Sequence, residues 1–196
     1  MTDIEQITVS MGSMEVNAYI VHAPEGDIIV DAGAEPAEIL GKVRGDVAAI
    51  LITHGHADHI GALDEVREAT KAPVYMHPLD AEPAGVTDYE PLGEGEDLVI
   101  AGESLHVIHT PGHCPGSVTF IVGDDQIVGD LILPGSVGRT DLGGANWEDL
   151  EASIAKVMPL WKDGTRLFCG HGPVLSAAEE METNPYLPRS LPRTLA

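Results

Sequence analysis

Basic residues are scarce in this chain: its 196 residues include ten Lys and Arg against 32 Asp and Glu, for a formal net charge of −22. Such a surface repels phosphate backbones, so we expect no nucleic-acid partner. We interpret the acidity as adaptation to molar salt, where a Debye length of about 3 Å removes the repulsion between like charges. The alternative is an acidic mesophilic protein.

Cysteines and long apolar runs are also few. Two cysteines, Cys114 and Cys169, cannot build a disulfide framework, which is typical of a reducing compartment. No apolar run reaches the roughly 18 residues of a membrane span, and the N-terminal segment lacks the basic start and apolar centre of a signal peptide. We therefore expect a cytoplasmic protein, from a halophilic organism, that has no membrane partner. The sequence predicts no particular oligomeric state.

Apolar periodicity predicts strands and helices in two similar halves. The first half has strands at 4–10, 16–22, 27–31, 47–52 and 73–77, with helices at 36–43 and 60–69. The second half has strands at 97–101, 104–109, 117–122, 126–130 and 165–169, with helices at 147–160 and 176–183. Residues 78–97, rich in proline, glycine and acids, are predicted to be a long surface connection.

Strand runs with helices outside them predict an α+β architecture of four layers, an αββα sandwich in which two sheets pack face to face. We predict a single domain over residues 1–196, with half-domains at about 1–90 and 91–196. At this length the chain can form one well-buried domain or two fused half-domains that share a core.

Potential metal ligands are concentrated in the stretch Thr53-His54-Gly55-His56-Ala57-Asp58-His59. Imidazole nitrogens and carboxylate oxygens are ligands that suit zinc, iron and manganese. A wholly apolar run at 47–52 precedes the stretch and a helical pattern follows it. The ligands are therefore predicted to lie on the turn after a buried strand, where α/β folds place their sites.

More candidate ligands follow predicted strands in the second half: His113, Asp130 and His171. Each has a glycine beside it, which permits the tight turn that a ligand loop needs. A single histidine is more often structural than a ligand. Seven hard or borderline ligands on strand-end turns nevertheless predict one joint metal centre.

These motifs together resemble those of the metallo-β-lactamase superfamily: His-x-His-x-Asp-His, then Thr-Pro-Gly-His, a lone Asp and Gly-His-Gly-Pro. The resemblance runs from Val30-Asp31-Ala32-Gly33 to Asn184-Pro185. The run Gly138-Arg139-Thr140-Asp141-Leu142, with the helix and the 168–173 segment after it, is more specifically similar to small hydrolases of the glyoxalase II (hydroxyacylglutathione hydrolase) type.

The resemblance implies a binuclear centre with two divalent metal ions, zinc in the first place and iron or manganese as alternatives. The implied metal ligands are His54, His56 and His113 in site one, Asp58, His59 and His171 in site two, and Asp130 as the bridge between them. Because position 59 is a histidine, a lactamase-type second site with a cysteine ligand is disfavoured.

Three further residues receive supporting roles. Asp31 is expected to orient a ligand imidazole, as such carboxylates do. Cys114 follows a predicted ligand and is either a packed apolar residue or an outer support of the site. Arg139 could bind a substrate carboxylate, with a structural ion pair to Asp141 as the equal alternative.

The implied reaction is hydrolysis of a thioester, in particular a 2-hydroxyacyl thioester of glutathione or another low-molecular-weight thiol. A metal-bridging hydroxide attacks the carbonyl, and Asp58 is the expected proton acceptor. The extra C-terminal helical domain that helps glyoxalase II bind glutathione is not expected here. The alternatives are a mononuclear-iron persulfide dioxygenase, a lactonase or β-lactam hydrolase, and a metal-binding scaffold without activity.

Overall fold

The first sheet is built from the N-terminal half of the chain. The structure is a computed structural model that describes residues 2–188. Six strands lie side by side in chain order: β1 (Asp3–Met11), β2 (Met14–Ala23), β3 (Gly26–Val30), β4 (Val47–Leu51), β5 (Val74–Met76) and β6 (Glu90–Pro91). The first three pair antiparallel, and β3, β4, β5 and β6 run parallel.

The second sheet comes from the C-terminal half. The strands of this half are β7 (Glu96–Ile100), β8 (Glu103–His109), β9 (Val118–Val122), β10 (Asp125–Gly129), β11 (Ile132–Leu133), β12 (Ser136–Val137), β13 (Arg166–Cys169) and β14 (Leu175–Ser176). Six of them form the sheet in the order β14-β13-β10-β9-β8-β7, while β11 and β12 pair only with each other. Within it, β10 and β13 are parallel neighbours.

Six α-helices accompany the sheets in the described part of the chain. They are α1 (Pro36–Leu40), α2 (Ala57–Ile60), α3 (Leu63–Thr70), α4 (Pro78–Ala84), α5 (Trp147–Val157) and α6 (Ala177–Thr183), and a short 3₁₀ turn, Met158–Leu160, extends α5. Helix α5 begins where the Asn146 side chain accepts hydrogen bonds from the first free backbone amides. Among these helices none is long and apolar enough to cross a membrane.

The two sheets pack face to face through alternate residues of their strands. On the inner face of the first sheet, Val21, Ile28 and Val30 are fully buried, and they share one apolar cluster with Phe120 and Phe168 of the second sheet. Because successive side chains of a strand point to opposite faces, the neighbours of these residues face outward. The middle of the molecule is therefore a sandwich of two sheets.

Helices cover both outer faces. Ile20 and Ile29, on the outer face of the first sheet, pack with Ile39, Leu63 and Val66 from the helices. The outer face of the second sheet packs in the same way against Leu150, Ile154 and Val157 of α5 and Met181 of α6. These layers confirm the predicted α+β, four-layer αββα sandwich.

The prediction that residues 78–97 form a long surface connection was wrong. The segment contains α4 and the edge strand β6, and Asp80 and Ala81 of α4 are buried. Two proline residues at the ends of a seven-residue helix hid the helical signal, because proline is tolerated in a first turn but not usually near a last one. The predicted helix at 60–69 is also divided, since α2 ends at Ile60 and α3 begins at Leu63.

The core between the sheets provides a direct test of this packing. Phe120 is fully buried there, so replacing it with alanine removes apolar burial and leaves a cavity. We expect Phe120→Ala to lower the free energy of unfolding by about 3–5 kcal/mol in urea denaturation. Val99→Ala, at a side chain that is 75% exposed, is the control and should change it by less than about 0.5 kcal/mol. Equal effects of the two variants would contradict the assigned core.

Candidate metal centre

The carboxyl ends of two parallel strands place the first group of predicted ligands. Strands β3 and β4 are neighbours, and Asp31 follows the first while Thr53 and His54 follow the second. Asp31 accepts hydrogen bonds from the backbone amide of Thr53 at 2.8 Å and from its hydroxyl at 2.7 Å. Oδ2 of Asp31, which accepts the hydroxyl hydrogen, also lies 2.7 Å from Nδ1 of His59, and His59 is fully buried. One carboxylate thus connects the ligand turn to the helix that follows it.

The second sheet places the remaining predicted ligands in the same way. Asp130 follows β10, and His171 follows the parallel neighbour β13. The two loops are joined by a hydrogen bond from the amide of Gly170 to the carbonyl of Gly129 at 2.8 Å. A Cβ atom at position 170 would overlap Oδ1 of Asp130 and lie 2.7 Å from Cε1 of His59. Glycine is therefore required at 170 for the two halves to approach.

The structure brings all seven predicted ligands together. Asp130 lies in the middle: its Oδ2 is 3.4 Å from Nε2 of His113 and 3.5 Å from Nε2 of His171, while its Oδ1 is 3.6 Å from Nε2 of His59. Nε2 of His171 is also 3.3 Å from Oδ2 of Asp58. The ring centroids of His56 and His113 are 4.6 Å apart. The ligands of both sheets thus form one cluster.

The cluster divides into overlapping groups of donor atoms. Within each group the donor atoms lie within 4.8 Å of one another; the groups are His54, His56, His113 and Cys114; His54, His59 and Asp130; and Asp58, His59 and His171. His54 and His59 each belong to two groups. One group contains the three residues predicted for site one, another contains the three predicted for site two, and the third joins Asp130 to one histidine of each. The assignment of these residues as metal ligands stays a prediction.

Four buried atoms of the cluster have no hydrogen-bond partner within the described residues: Nε2 of His54, His59 and His113, and Oδ1 of Asp130. Buried polar atoms are almost always hydrogen-bonded, because leaving them unsatisfied costs free energy. Here the unpartnered atoms are imidazole nitrogens and a carboxylate oxygen that face one another. The residues present therefore fit divalent metal ions with nitrogen and oxygen ligands.

Hydrogen bonds at the outer nitrogens turn four of the imidazoles inward. Nδ1 of His59 faces Asp31, Nδ1 of His113 is 2.9 Å from the carbonyl of Arg139, and Nδ1 of His171 is 2.6 Å from the carbonyl of Glu15. Nδ1 of His54 is 3.1 Å from the Thr53 hydroxyl, whose own hydrogen goes to Asp31. Since these partners are acceptors, each Nδ1 carries the hydrogen and Nε2 is left to face the centre.

His56 has the opposite arrangement. Its Nε2 lies 3.4 Å from Sγ of Cys114, so the outer partner is on Nε2 instead of Nδ1. Cys114 is buried, and burial raises the pKa of its thiol to about 12, as does the nearby Asp80 carboxylate. At neutral pH the residue is a thiol that contacts a predicted ligand.

The protonation states of the cluster follow from burial and from the mixture of charges. Burial, and then the neighbouring imidazoles, holds the pKa of His54 well below its ordinary value. Burial opposes ionisation of Asp58, but the hydrogen bond from His171 and the charge of His59 bring its pKa to about 2. Hydrogen bonds to Asp130 and Asp58 raise the pKa of His171 to about 10. His171 therefore has to release a proton when its Nε2 binds a metal ion, which makes metal affinity pH-dependent.

Arg139 contacts the cluster through its backbone, not through its charge. Its guanidinium donates two hydrogen bonds to Asp141, from Nε at 2.7 Å and from an Nη at 2.8 Å, and the side chain is 59% exposed. The carbonyl of Arg139 accepts the hydrogen bond from His113. The ion pair considered as the alternative from sequence is present, and substrate binding by Arg139 stays a prediction.

Sequence reasoning missed the residues that join the two halves around the cluster. Asn17 of β2 donates hydrogen bonds to the carbonyls of Cys169 and Gly172 at 2.9 and 2.8 Å, and Tyr19 donates one to Cys169 at 2.6 Å. Asp80 of α4 accepts hydrogen bonds from backbone amides of both ligand loops. A buried polar residue on a strand is a weak signal, and nothing in an acidic segment distinguished Asp80.

A cavity of about 320 Å³ adjoins one side of the cluster. His56 and Cys114 form part of its wall, together with apolar side chains of Leu79, Pro83 and Ala84 from α4 and Pro115. Among the described residues that line the cavity, Asp80 alone has a charged side chain, and both of its oxygens are already hydrogen-bonded. The cavity is thus largely apolar.

Known proteins and a family model resemble this chain along most of its length. Residues 11–171 match the family model described as metallo-beta-lactamase superfamily. The chain is 36% identical to the probable metallo-hydrolase YqgX of Bacillus subtilis over 203 residues, covering 90% of this chain and 94% of that protein. It is 28% identical to the hydroxyacylglutathione hydrolase GloC of Haemophilus influenzae, covering 81% and 86%.

Solved structures agree at the level of the fold. TTHA1623 in a di-iron-bound form is 38% identical, with a TM-score of 0.80 and coverage of 92% of this chain and 100% of that one. The BLEG-1 B3 metallo-beta-lactamase is 33% identical, with a TM-score of 0.84 and coverage of 94% and 99%. ETHE1 from Myxococcus xanthus is 27% identical, with a TM-score of 0.80 and coverage of 93% and 83%. The chain belongs to the metallo-β-lactamase superfamily.

Proposed function

We propose that this chain is a metal-dependent thioesterase, and that its substrates are 2-hydroxyacyl thioesters of a low-molecular-weight thiol. The observation that carries the proposal is the set of three overlapping donor groups gathered around Asp130, with His59 and His171 both in place. The probable metallo-hydrolase and hydroxyacylglutathione hydrolase among its relatives support the hydrolase class.

The chain's own residues perform distinct tasks in the proposed reaction. When bound, two divalent ions supply a Lewis acid for a carbonyl oxygen and a hydroxide at neutral pH. Asp58, which is ionised and lies beside His171, is the proposed proton acceptor at the centre. Asp31 keeps the ring of His59 in one orientation. A thiolate leaves without strong help from a general acid, which suits a site whose histidines serve as ligands.

The surface charge bears on which thiol carries the acyl group. All eight Lys and Arg within the described residues form ion pairs with acids. Arg189 and Arg193 lie outside the described residues. Over residues 2–188, an anionic carrier such as glutathione would thus approach an acidic surface on which every Lys and Arg is already paired. We therefore favour a thiol carrier of low negative charge over glutathione.

We also propose that Cys114 keeps His56 in its inward orientation. The thiol occupies Nε2 of the ring, so Nδ1 is the nitrogen left for site one. The other four imidazoles of the cluster use Nε2 instead. Outer partners of this kind orient ligand rings in metal sites.

Metal binding is the first requirement of the proposal. Adding Zn²⁺ to chelator-treated protein should stabilise the fold, by about 2.7 kcal/mol when free metal reaches 100 times the dissociation constant. Scanning calorimetry would measure the rise in Tm. Asp130→Asn should lose most of this gain because Asp130 lies next to His113 of the predicted site one and to His59 and His171 of the predicted site two. His106→Ala, at a surface pair with Asp97, should keep the gain. An unchanged Tm for the unmodified chain would contradict the metal centre.

Thioester hydrolysis is the second requirement. We expect the zinc- or iron-loaded chain to hydrolyse a 2-hydroxyacyl thioester, and Asp58→Asn to lower kcat about 10²–10⁴-fold because the proton acceptor is lost. Release of free thiol, followed with a thiol reagent, is the measurement, and metal content is measured in parallel. Full activity of Asp58→Asn with two bound metal ions would contradict the role of Asp58.

Assays with other substrates separate the main alternatives. A persulfide dioxygenase, suggested by the similarity to ETHE1, would consume oxygen on a thiol persulfide and require iron alone. A β-lactam hydrolase, suggested by the similarity to BLEG-1, would open a cyclic amide, and a lactonase would open a cyclic ester. Faster turnover of either substrate than of the thioester would replace the present proposal.

A cytoplasm of high salt concentration is the proposed setting. With 32 acids and a net charge of −22, repulsion among unpaired carboxylates destabilises the fold in dilute buffer. We expect the Tm to rise steadily from dilute buffer to multimolar KCl, as screening shortens the Debye length to about 3 Å. Thermal unfolding followed by circular dichroism is the measurement. A Tm that is independent of KCl would fit an acidic mesophilic protein instead.

A further inference from the structure

Asp80 is a buried carboxylate that lies outside the predicted ligand set. It is in the first turn of α4, and only 4% of the residue is exposed. Oδ2 accepts a hydrogen bond from the amide of Gly55 at 2.9 Å, and Oδ1 accepts one from the amide of Gly116 at 2.6 Å. Each carboxylate oxygen of Asp80 is therefore hydrogen-bonded to a different loop.

These two loops carry the three predicted ligands of site one. Gly55 lies between His54 and His56, and Gly116 is three residues after His113. The first loop follows β4 of one sheet, and the second connects β8 and β9 of the other. Apart from Asp80, a backbone hydrogen bond from Val118 to Thr53 at 2.9 Å connects the same loops. The carboxylate of Asp80 thus bridges the half-domains directly beside the cluster.

Both amides belong to glycines because the carboxylate approaches the backbone closely. A Cβ atom at position 116 would lie 2.7 Å from Cγ, Oδ1 and the amide nitrogen of Asp80. One at position 55 would lie 3.0 Å from the carbonyl oxygen of Asp80. Side chains at these positions would push the loops away from the carboxylate.

We propose that Asp80 is a positioning residue that sets the distance between the two loops of site one, so that metal affinity at site one depends on a carboxylate that does not bind the metal. The inference rests on the metal centre of the proposed function and not on the identity of the substrate. It assigns to the predicted linker at 78–97 a part in building the centre. Outer partners of ligands typically change metal affinity 10–100-fold when they are replaced.

Asp80→Asn tests the proposal with little change in volume. An asparagine keeps one acceptor oxygen, but its NH₂ group would face an amide N–H, so one loop loses its partner. Asp27→Asn is the control: Asp27 is also 4% exposed, and its Oδ2 accepts a backbone hydrogen bond from Arg44 at 2.6 Å, while its Oδ1 lies 2.7 Å from Nδ1 of His22. Asp27 is at the start of β3, at the opposite end of that strand from the cluster. Both variants replace a buried carboxylate that accepts a backbone hydrogen bond.

Two measurements on the full chain separate positioning from stability alone. Competition titration with Zn²⁺ should show the affinity of one of the two sites falling about 10–100-fold in Asp80→Asn and staying within twofold in Asp27→Asn. Hydrogen exchange of the metal-free chain should be faster in the peptides covering 53–57 and 113–118 in Asp80→Asn alone. Equal loss of Tm in both variants, with zinc affinities and exchange at these loops unchanged, would overturn the proposal.

A second pair of variants covers the case in which Asp80→Asn fails to fold. Gly116→Ala places a methyl group against the Asp80 carboxylate, so it should weaken zinc binding at the same site. Gly143→Ala, where a Cβ meets nothing within 4 Å, should leave zinc binding unchanged. Identical zinc affinities for Gly116→Ala and Gly143→Ala would contradict the positioning role. If the unmodified chain binds no Zn²⁺, the proposed function fails, and the exchange of the two loops alone decides whether Asp80 positions them.

Discussion

Four buried polar atoms that face one another without a protein partner are the constraint on which the rest of this structure depends. The inward nitrogens of His54, His59 and His113 and one oxygen of Asp130 are held out of water. Desolvation of such groups costs several kcal/mol unless something compensates it. In each of the five histidines of the cluster, the ring nitrogen that faces away from the centre has a partner in the protein. Glycines in the ligand loops allow the backbone to pass close to neighbouring groups. The precision of the cluster comes from these contacts around it.

The centre forms only where the two sheets meet, so the contacts between the halves are also contacts of the site. Asn17 and Tyr19 reach from β2 to the loop of His171. Asp80 reaches from α4 to the loops of His54 and His113. Because the apolar core between the sheets sets their separation, these polar contacts need only adjust loop positions. Stability and metal binding are consequently coupled in one interface.

The acidic surface and the apolar cavity point to a common physical picture of the substrate. Paired basic residues leave no free cation among residues 2–188, and the cavity next to His56 is walled by Leu79, Pro83 and Ala84. If the substrate is the proposed thioester, a strongly anionic thiol carrier would gain little in such surroundings. Recognition would depend on apolar contact and on the metal centre itself, and high salt would weaken it less than it weakens recognition by ion pairs.

The sequence by itself determined the ligand types, their placement after strands and the alternation of strands and helices, because each of these is encoded within a few neighbouring residues. Thr53–His59 and the turn containing His171 were identified in this way, as was the helix α5. Only the tertiary structure decided that Asp80 joins two ligand loops, that Cys114 contacts His56 and that the guanidinium of Arg139 pairs with Asp141. These contacts form because the two sheets pack together, or because a side chain adopts one particular orientation. Sheet packing and side-chain orientation leave no periodic pattern in the sequence.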